Sequence, residues 1–298
     1  RAEVEVLMAK PRTAAGYEPA QVRNVRAACL YLATKLGDLL DELVVVGGLV
    51  PTLLIDQAAA EVERHVGTLD LDIGMEVAIL DDKRYEVLTE RLRAAGFGPD
   101  ANEKGNRTRQ RWKIEGPPKV TVDFLIPPTL DTDTGGQLRD IELDFAAIIA
   151  PGLRLAFIDQ VKVELHGATI RGEEARRQIS VCGAGAFVVM KALAFRSRGE
   201  NKDAYDIAYL LRNYGRGPGD VAALLAPHVG TAEVNDALRL LSEDFETVNS
   251  VGPLRVSEFL FDARHDETEA DAWGAVRDLL DALRSCERQG DEVRPKVE

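Results

Sequence analysis

Two segments restrict what this chain can fold into more than any others. Val44-Val45-Val46 is a β-branched run that ends on Gly47-Gly48, and Leu69-Asp70-Leu71-Asp72-Ile73 alternates strictly between apolar and acidic residues. The first reads as a buried strand entering a tight turn. Glycine has no Cβ, so the backbone N–H groups of such a turn are open to close approach by a ligand. The apolar run from Leu49 to Ile55 reads as a helix with Pro51 in its first turn, where a missing N–H costs little. A helix that starts on a glycine turn is suited to anions. In the second segment Leu69, Leu71 and Ile73 share one strand face, and Asp70 and Asp72 share the other. Neighbouring carboxylates repel unless a metal, a base or solvent offsets them. Paired hard oxygen donors suit Mg²⁺ together with substrate phosphates.

A third acid fits the same plan. Lys119 to Ile126 reads as a strand ended by Pro127-Pro128, with Asp123 inside an apolar run. A carboxylate there must be paired or liganded. An ion pair with a basic side chain of the adjoining strand is one answer; a metal is the preferred one. Three aspartates on neighbouring strands can hold two metal ions, the arrangement used for in-line displacement at phosphorus.

Arg107 to Glu115 alternates and is expected to pair with Lys119 to Ile126 across Gly116-Pro117-Pro118. Arg107, Arg109, Arg111 and Lys113 then share one face. That face is either a solvated strand surface or a basic track able to grip RNA or triphosphate. Pro19 to Leu43 has apolar residues at helical spacing, as does 81–95, which Gly96 would stop. Residues 56–66 read as a polar connector, and 100–106 as a loop. The Asp72 strand is expected to continue toward Ala78 and Ile79. Strand-like segments follow at 141–149, 154–158, 161–170 and 178–182. Composition changes at Gly183-Ala184-Gly185, after which the pattern is helical: 186–196, then 202–213 with Asn201 as its N-cap, 221–225, 231–241 and 269–283.

The expected class is α/β, with a mixed-sheet domain over 1–183 followed by a helical domain over 184–298. The 298 residues suit two domains, and 45% apolar with 29% charged residues is ordinary for a globular protein. The formal net charge of −13 disfavours a coat of nucleic acid over the whole surface, so any such substrate must meet a local basic patch. No stretch has the apolar length of a membrane span, and residues 1–10 lack the apolar core of a secretory leader. Cys29, Cys182 and Cys286 are odd in number and far apart, which points to reduced thiols and a cytoplasmic setting. His65, His166, His228 and His265 show no zinc-ligand spacing, so no zinc is expected.

The ordered set of Gly47-Gly48, Asp70-x-Asp72 and Asp123 resembles the nucleotidyltransferase fold of the polymerase-β-like superfamily. Lys191 to Arg196, followed by Lys202-Asp203-Ala204-Tyr205-Asp206, resembles the C-terminal motif of AbiEii/AbiGii-type toxin nucleotidyltransferases. The resemblance covers roughly residues 40 to 215 in pieces. It implies Mg²⁺-dependent transfer from a nucleoside triphosphate, with two ions on Asp70, Asp72 and Asp123 and with Lys191 as a further catalytic cation. Gly47, Gly48, Thr52, Lys191, Arg196, Lys202 and Asp203 are then the NTP-binding candidates, in a cleft between the domains. It also implies tRNA as acceptor, with Arg107, Arg109, Arg111 and Lys113 touching it, and a cognate antitoxin protein as partner. A small-molecule acceptor and a non-catalytic nucleotide-binding module are the alternatives.

Overall fold

A computed structural model describes residues 11–59, 62–76, 82–101, 107–142 and 145–292. The chain divides into two compact units. One contains Ala15–Val50 and Val66–Cys182; the other contains Arg12–Ala14, Pro51–His65 and the chain from Gly183 onward.

The first unit is a mixed open sheet with helices. Helix α1 (Pro19–Leu36) leads through a 3-10 segment into β1 (Leu43–Val46), and a 3-10 turn at Gly47–Leu49 precedes the short helix α2 (Val50–Leu54). Then come β2 (Asp70–Met75), α3 (Asp82–Ala94), β3 (Phe97–Ala101), β4 (Arg107–Ile114) and β5 (Thr121–Ile126). They are followed by β6 (Leu138–Glu142), β7 (Phe145–Ile149), α4 (Leu153–Ile158), β8 (Gln160–Ala168) and β9 (Glu174–Cys182). The strand order is β3-β4-β5-β2-β1-β9-β8, with the β6–β7 hairpin joined through β7 to β5. β2 runs parallel to β5 and antiparallel to β1, and β4 runs antiparallel to β5.

The alternation seen in the sequence decides which face is buried. Leu71, Ile73, Val122 and Phe124 point into the core and are almost fully buried. Cys29, Leu32 and Leu36 of α1 line a small apolar cavity on that face together with Val45, Ile73 and Ile179. Trp112, Phe124 and Phe145 add an aromatic cluster, with ring centroids 5.9 Å and 5.2 Å apart for the two pairs that share Phe145. Large rings such as these dominate core energetics. The opposite face carries Asp70, Asp72 and Asp123. Part of it is covered by α4, whose Leu153 packs where Gly74 leaves out a side chain.

Several expectations are corrected. Residues 154–158 are helix rather than strand: Gly152 turns the chain with φ 82°, and Leu153, Leu155 and Ala156 then bury one helical face. A window that short does not separate the two periodicities. Residues 141–149 form not one strand but parts of a β6–β7 hairpin. Asp100 and Ala101 end strand β3 rather than lying in a loop; the rest of that expected loop, 102–106, and the continuation at Ala78 and Ile79 lie outside the described residues.

The second unit is helical, with α5 (Ala184–Arg198), α6 (Asn201–Asn213), α7 (Pro218–Leu225), α8 (Ala232–Asp244), α9 (Val251–Phe261) and α10 (Asp266–Glu292). α6 packs against α5, α9 and α10, and is buried from Asn201 through Leu211. Asn201 is the first residue of α6 rather than its cap, and its amide donates to the Arg12 carbonyl at 3.4 Å. α9 is hidden from a periodicity reading by Gly252-Pro253, yet Pro is tolerated in a first turn. Among the described residues no helix is long and apolar enough to cross a membrane.

Candidate functional site

Strand pairing places the three aspartates together. In the parallel β2–β5 ladder Asp72 lies opposite Asp123 and Asp70 opposite Thr121, all on one face. One carboxylate oxygen from each of Asp70, Asp72 and Asp123 lies within 4.8 Å of the others. Asp70 and Asp123 are buried and Asp72 is half-buried. Three hard oxygen donors at this spacing fit a Mg²⁺-type ion, so the residues present suit the metal expected from the sequence.

Gly47 belongs to the same construction. Its φ of 71° is the left-handed region, and an added Cβ would lie 1.9 Å from Asp72 Oδ2. Both the turn and the room for the Asp72 carboxylate therefore require glycine here. Gly48 follows it, buried within the 3-10 turn. The Thr68 hydroxyl donates to Asp70 Oδ1 at 2.8 Å and orients that carboxylate.

Arg111 enters the cluster from β4, directly across the ladder from Asp123. Its Nε donates to Asp123 Oδ1 at 2.8 Å and its Nη2 to Oδ2 at 2.5 Å, a bidentate fork. Nη2 also lies 3.7 Å from Asp70 Oδ2. The Arg111 side chain is only 15% exposed, and those of Asp70 and Asp123 are 6% exposed, so water screens these charges poorly. Burial opposes the Arg111 charge, but Asp123, Asp70 and Asp72 more than offset it and raise its pKa.

The rest of the basic strand face is distributed differently. Arg109 pairs with Asp140 at 2.8 Å, Lys113 pairs with Asp100 at 2.9 Å, and Arg107 is exposed. The four residues are one row by sequence, yet Arg109, Arg111 and Lys113 each meet a different acid.

The helical unit gathers most of the second motif. Lys191 Nζ lies 2.8 Å from Asp203 Oδ1 and 2.7 Å from Asp206 Oδ2. Lys202 Nζ meets Asp206 Oδ1 at 2.6 Å, and Arg198 forks onto Asp203 with two contacts of 2.7 Å. His65 Nε2 lies 2.9 Å from Asp206 Oδ1. Burial works against the charge on both aspartates. Lys191 and Arg198 nevertheless pull Asp203 down to about 2, and Lys191 with Lys202 holds Asp206 well below the usual range. Burial likewise opposes the Lys191 charge, and the two aspartates outweigh it and raise its pKa. His65 is lowered to about 4, chiefly by burial, which outweighs the pull of Asp206. It is therefore neutral near pH 7, and Nε2 must carry the proton donated to ionised Asp206. The ring stacks on Tyr205 at 5.2 Å and meets the Tyr209 edge at 4.7 Å.

Arg196 is not part of this cluster; it pairs with Glu243 and Asp244 of α8 at 2.8 Å each. Thr52 lies in α2, where the chain passes from one unit to the other. No protein-family model matches the chain, and no curated protein is similar to it.

The sequence gives His65 and Arg198 no role here, and the basic side chain of the adjoining strand that it offers as one partner for Asp123 is Arg111. Arg111 had a usable signal: it and Asp123 are equidistant from Pro117, so a hairpin turning there sets them opposite each other. His65 had none, because its partner is distant in sequence.

Proposed function

We propose that the strand site catalyses divalent-cation-dependent nucleotidyl transfer from a nucleoside triphosphate to a hydroxyl acceptor. The observation that carries this reading is the convergence of three carboxylates from β2 and β5 beside a cramped glycine turn. Asp70, Asp72 and Asp123 would hold Mg²⁺. When bound, Mg²⁺ supplies positive charge to phosphate oxygens and lowers the pKa of an attacking hydroxyl. Thr68 fixes the rotamer of Asp70. Gly47 makes room for Asp72, and the absence of Cβ atoms at Gly47 and Gly48 lets phosphate oxygens approach the backbone N–H groups. Lys191 is matched by two aspartates, so the reading does not rest on it.

The acceptor class comes from the family resemblance alone: a hydroxyl at a tRNA 3′ end, in a toxin held by an antitoxin partner. One observation favours a small-molecule acceptor instead. Arg109 and Lys113 are already paired with acids, which leaves the β4 face less charge to offer an RNA backbone.

The test is incubation with each labelled NTP and Mg²⁺, with total tRNA in one arm and hydroxyl-rich small molecules in the other. Label should appear on one acceptor class. Asp70→Ala and Asp72→Ala should each lose on the order of 10³-fold in rate, the scale of removing a preorganised charge-stabilising group. Equal transfer by wild type and both variants would overturn the reading.

A further inference from the structure

We propose that Arg111 is a resident counter-cation of the acid cluster and competes with divalent metal for Asp123. This inference rests on the metal reading of the strand site. Both oxygens of Asp123 accept from the guanidinium fork, and the same Nη2 lies 3.7 Å from Asp70 Oδ2. Arg111 thus stands between two of the three carboxylates that would ligate an ion. It cannot drift away cheaply. The β4–β5 register sets it opposite Asp123, and the pair is largely shielded from water.

The fork serves the protein in one state and obstructs it in the other. Without metal, three crowded carboxylates repel, and Arg111 offsets part of that repulsion. With metal, the guanidinium faces an ion of the same sign at close range, and Asp123 must loosen the fork to share its oxygens. Arg111 therefore lowers metal affinity while stabilising the metal-free fold. It acts as a positioning residue on Asp123 and sets the cation concentration at which the site fills.

Mn²⁺ binding followed by electron paramagnetic resonance tests this directly, without turnover. Arg111→Gln should bind Mn²⁺ at least about tenfold more tightly than wild type, because one unit charge close to a divalent ion is gone. Without metal its melting temperature should fall below wild type, and saturating Mg²⁺ should restore it. Arg111→Lys keeps the charge and should stay within a few-fold of wild-type affinity. In the wild-type protein, the Nε–H resonance of Arg111 should shift and exchange faster on addition of Mg²⁺, which needs no variant to fold. Unchanged or weaker Mn²⁺ affinity in Arg111→Gln, or an unmoved resonance in metal-bound wild type, would make Arg111 a plain structural prop and leave the metal reading standing. Absence of Mn²⁺ binding in both proteins would remove the metal reading and this inference together.

Discussion

Each unit of this protein buries a cluster of carboxylates with cations, and the two clusters differ in balance. In the helical unit Lys191, Lys202 and Arg198 face Asp203 and Asp206, with neutral His65 completing the set. In the sheet unit Arg111 faces Asp70, Asp72 and Asp123. Lys191 and Lys202 balance Asp203 and Asp206 within the buried set, and Arg198 adds a third cation whose side chain is 46% exposed. Around Arg111 the three carboxylates repel one another, and a divalent ion would relieve that repulsion. The difference supports placing the proposed metal site at the strand cluster rather than at the helical one.

The largest expected effect comes from breaking the helical cluster. Asp206→Ala takes a buried counter-charge from Lys202 and one of the two from Lys191, and should cost about 3–5 kcal/mol, read by urea denaturation. Mg²⁺ should not restore it, in contrast to Arg111→Gln. Restoration by Mg²⁺ would break the comparison.

Acid should dismantle the same cluster in two stages. His65 protonates near 6.5 in the unfolded chain and only at about 4 when folded. Unfolding therefore takes up a proton between these values, and stability falls as pH falls from 6.5 to 4. The loss is roughly 3 kcal/mol at 1.36 kcal/mol per pKa unit. Asp203 and Asp206 have depressed values, so their contribution is present above about pH 4 and is lost as pH falls toward 2 and below. Denaturation at stepped pH should show both stages, and His65→Phe should flatten the upper one alone.

A smaller change sharpens the other side. Gly47→Ala imposes the left-handed penalty of about 1–2 kcal/mol and pushes a methyl into the Asp72 carboxylate. Mn²⁺ affinity should fall roughly tenfold or more, the scale seen when a group that orients ligands is lost. The smallest effect is expected at Arg109→Ala. Its pair with Asp140 is exposed, so stability should change by less than ~1 kcal/mol and Mn²⁺ affinity should not move. A large loss of metal affinity there would mean that the whole strand face acts as a unit.

Much of the sheet was legible because period-2 alternation states which side of a strand meets the core. Leu71, Val122 and Phe124 went inward as expected, and the three aspartates followed onto the opposite face. Helix α1 was legible from its apolar spacing as far as Leu36, beyond which the expected helix is a 3-10 segment, and α3 and α6 were legible with their stop signals. The short helix α4 and the β6–β7 hairpin were not, because a few apolar residues suit either period and packing decides between them. The basic row on β4 was legible as a row but not as a set of pairings.

The amino-acid order alone determined the site's inventory: glycines where the chain must turn tightly, and acids at alternate positions in apolar strands. Only the tertiary structure decided who neutralises whom. It gave Arg111 to Asp123, Arg109 to Asp140, Lys113 to Asp100, and His65 to Asp206. Local spacing sets the direction in which a side chain points. Coulomb attraction falls with distance through space rather than along the chain, so partners become fixed only once strands and helices have packed.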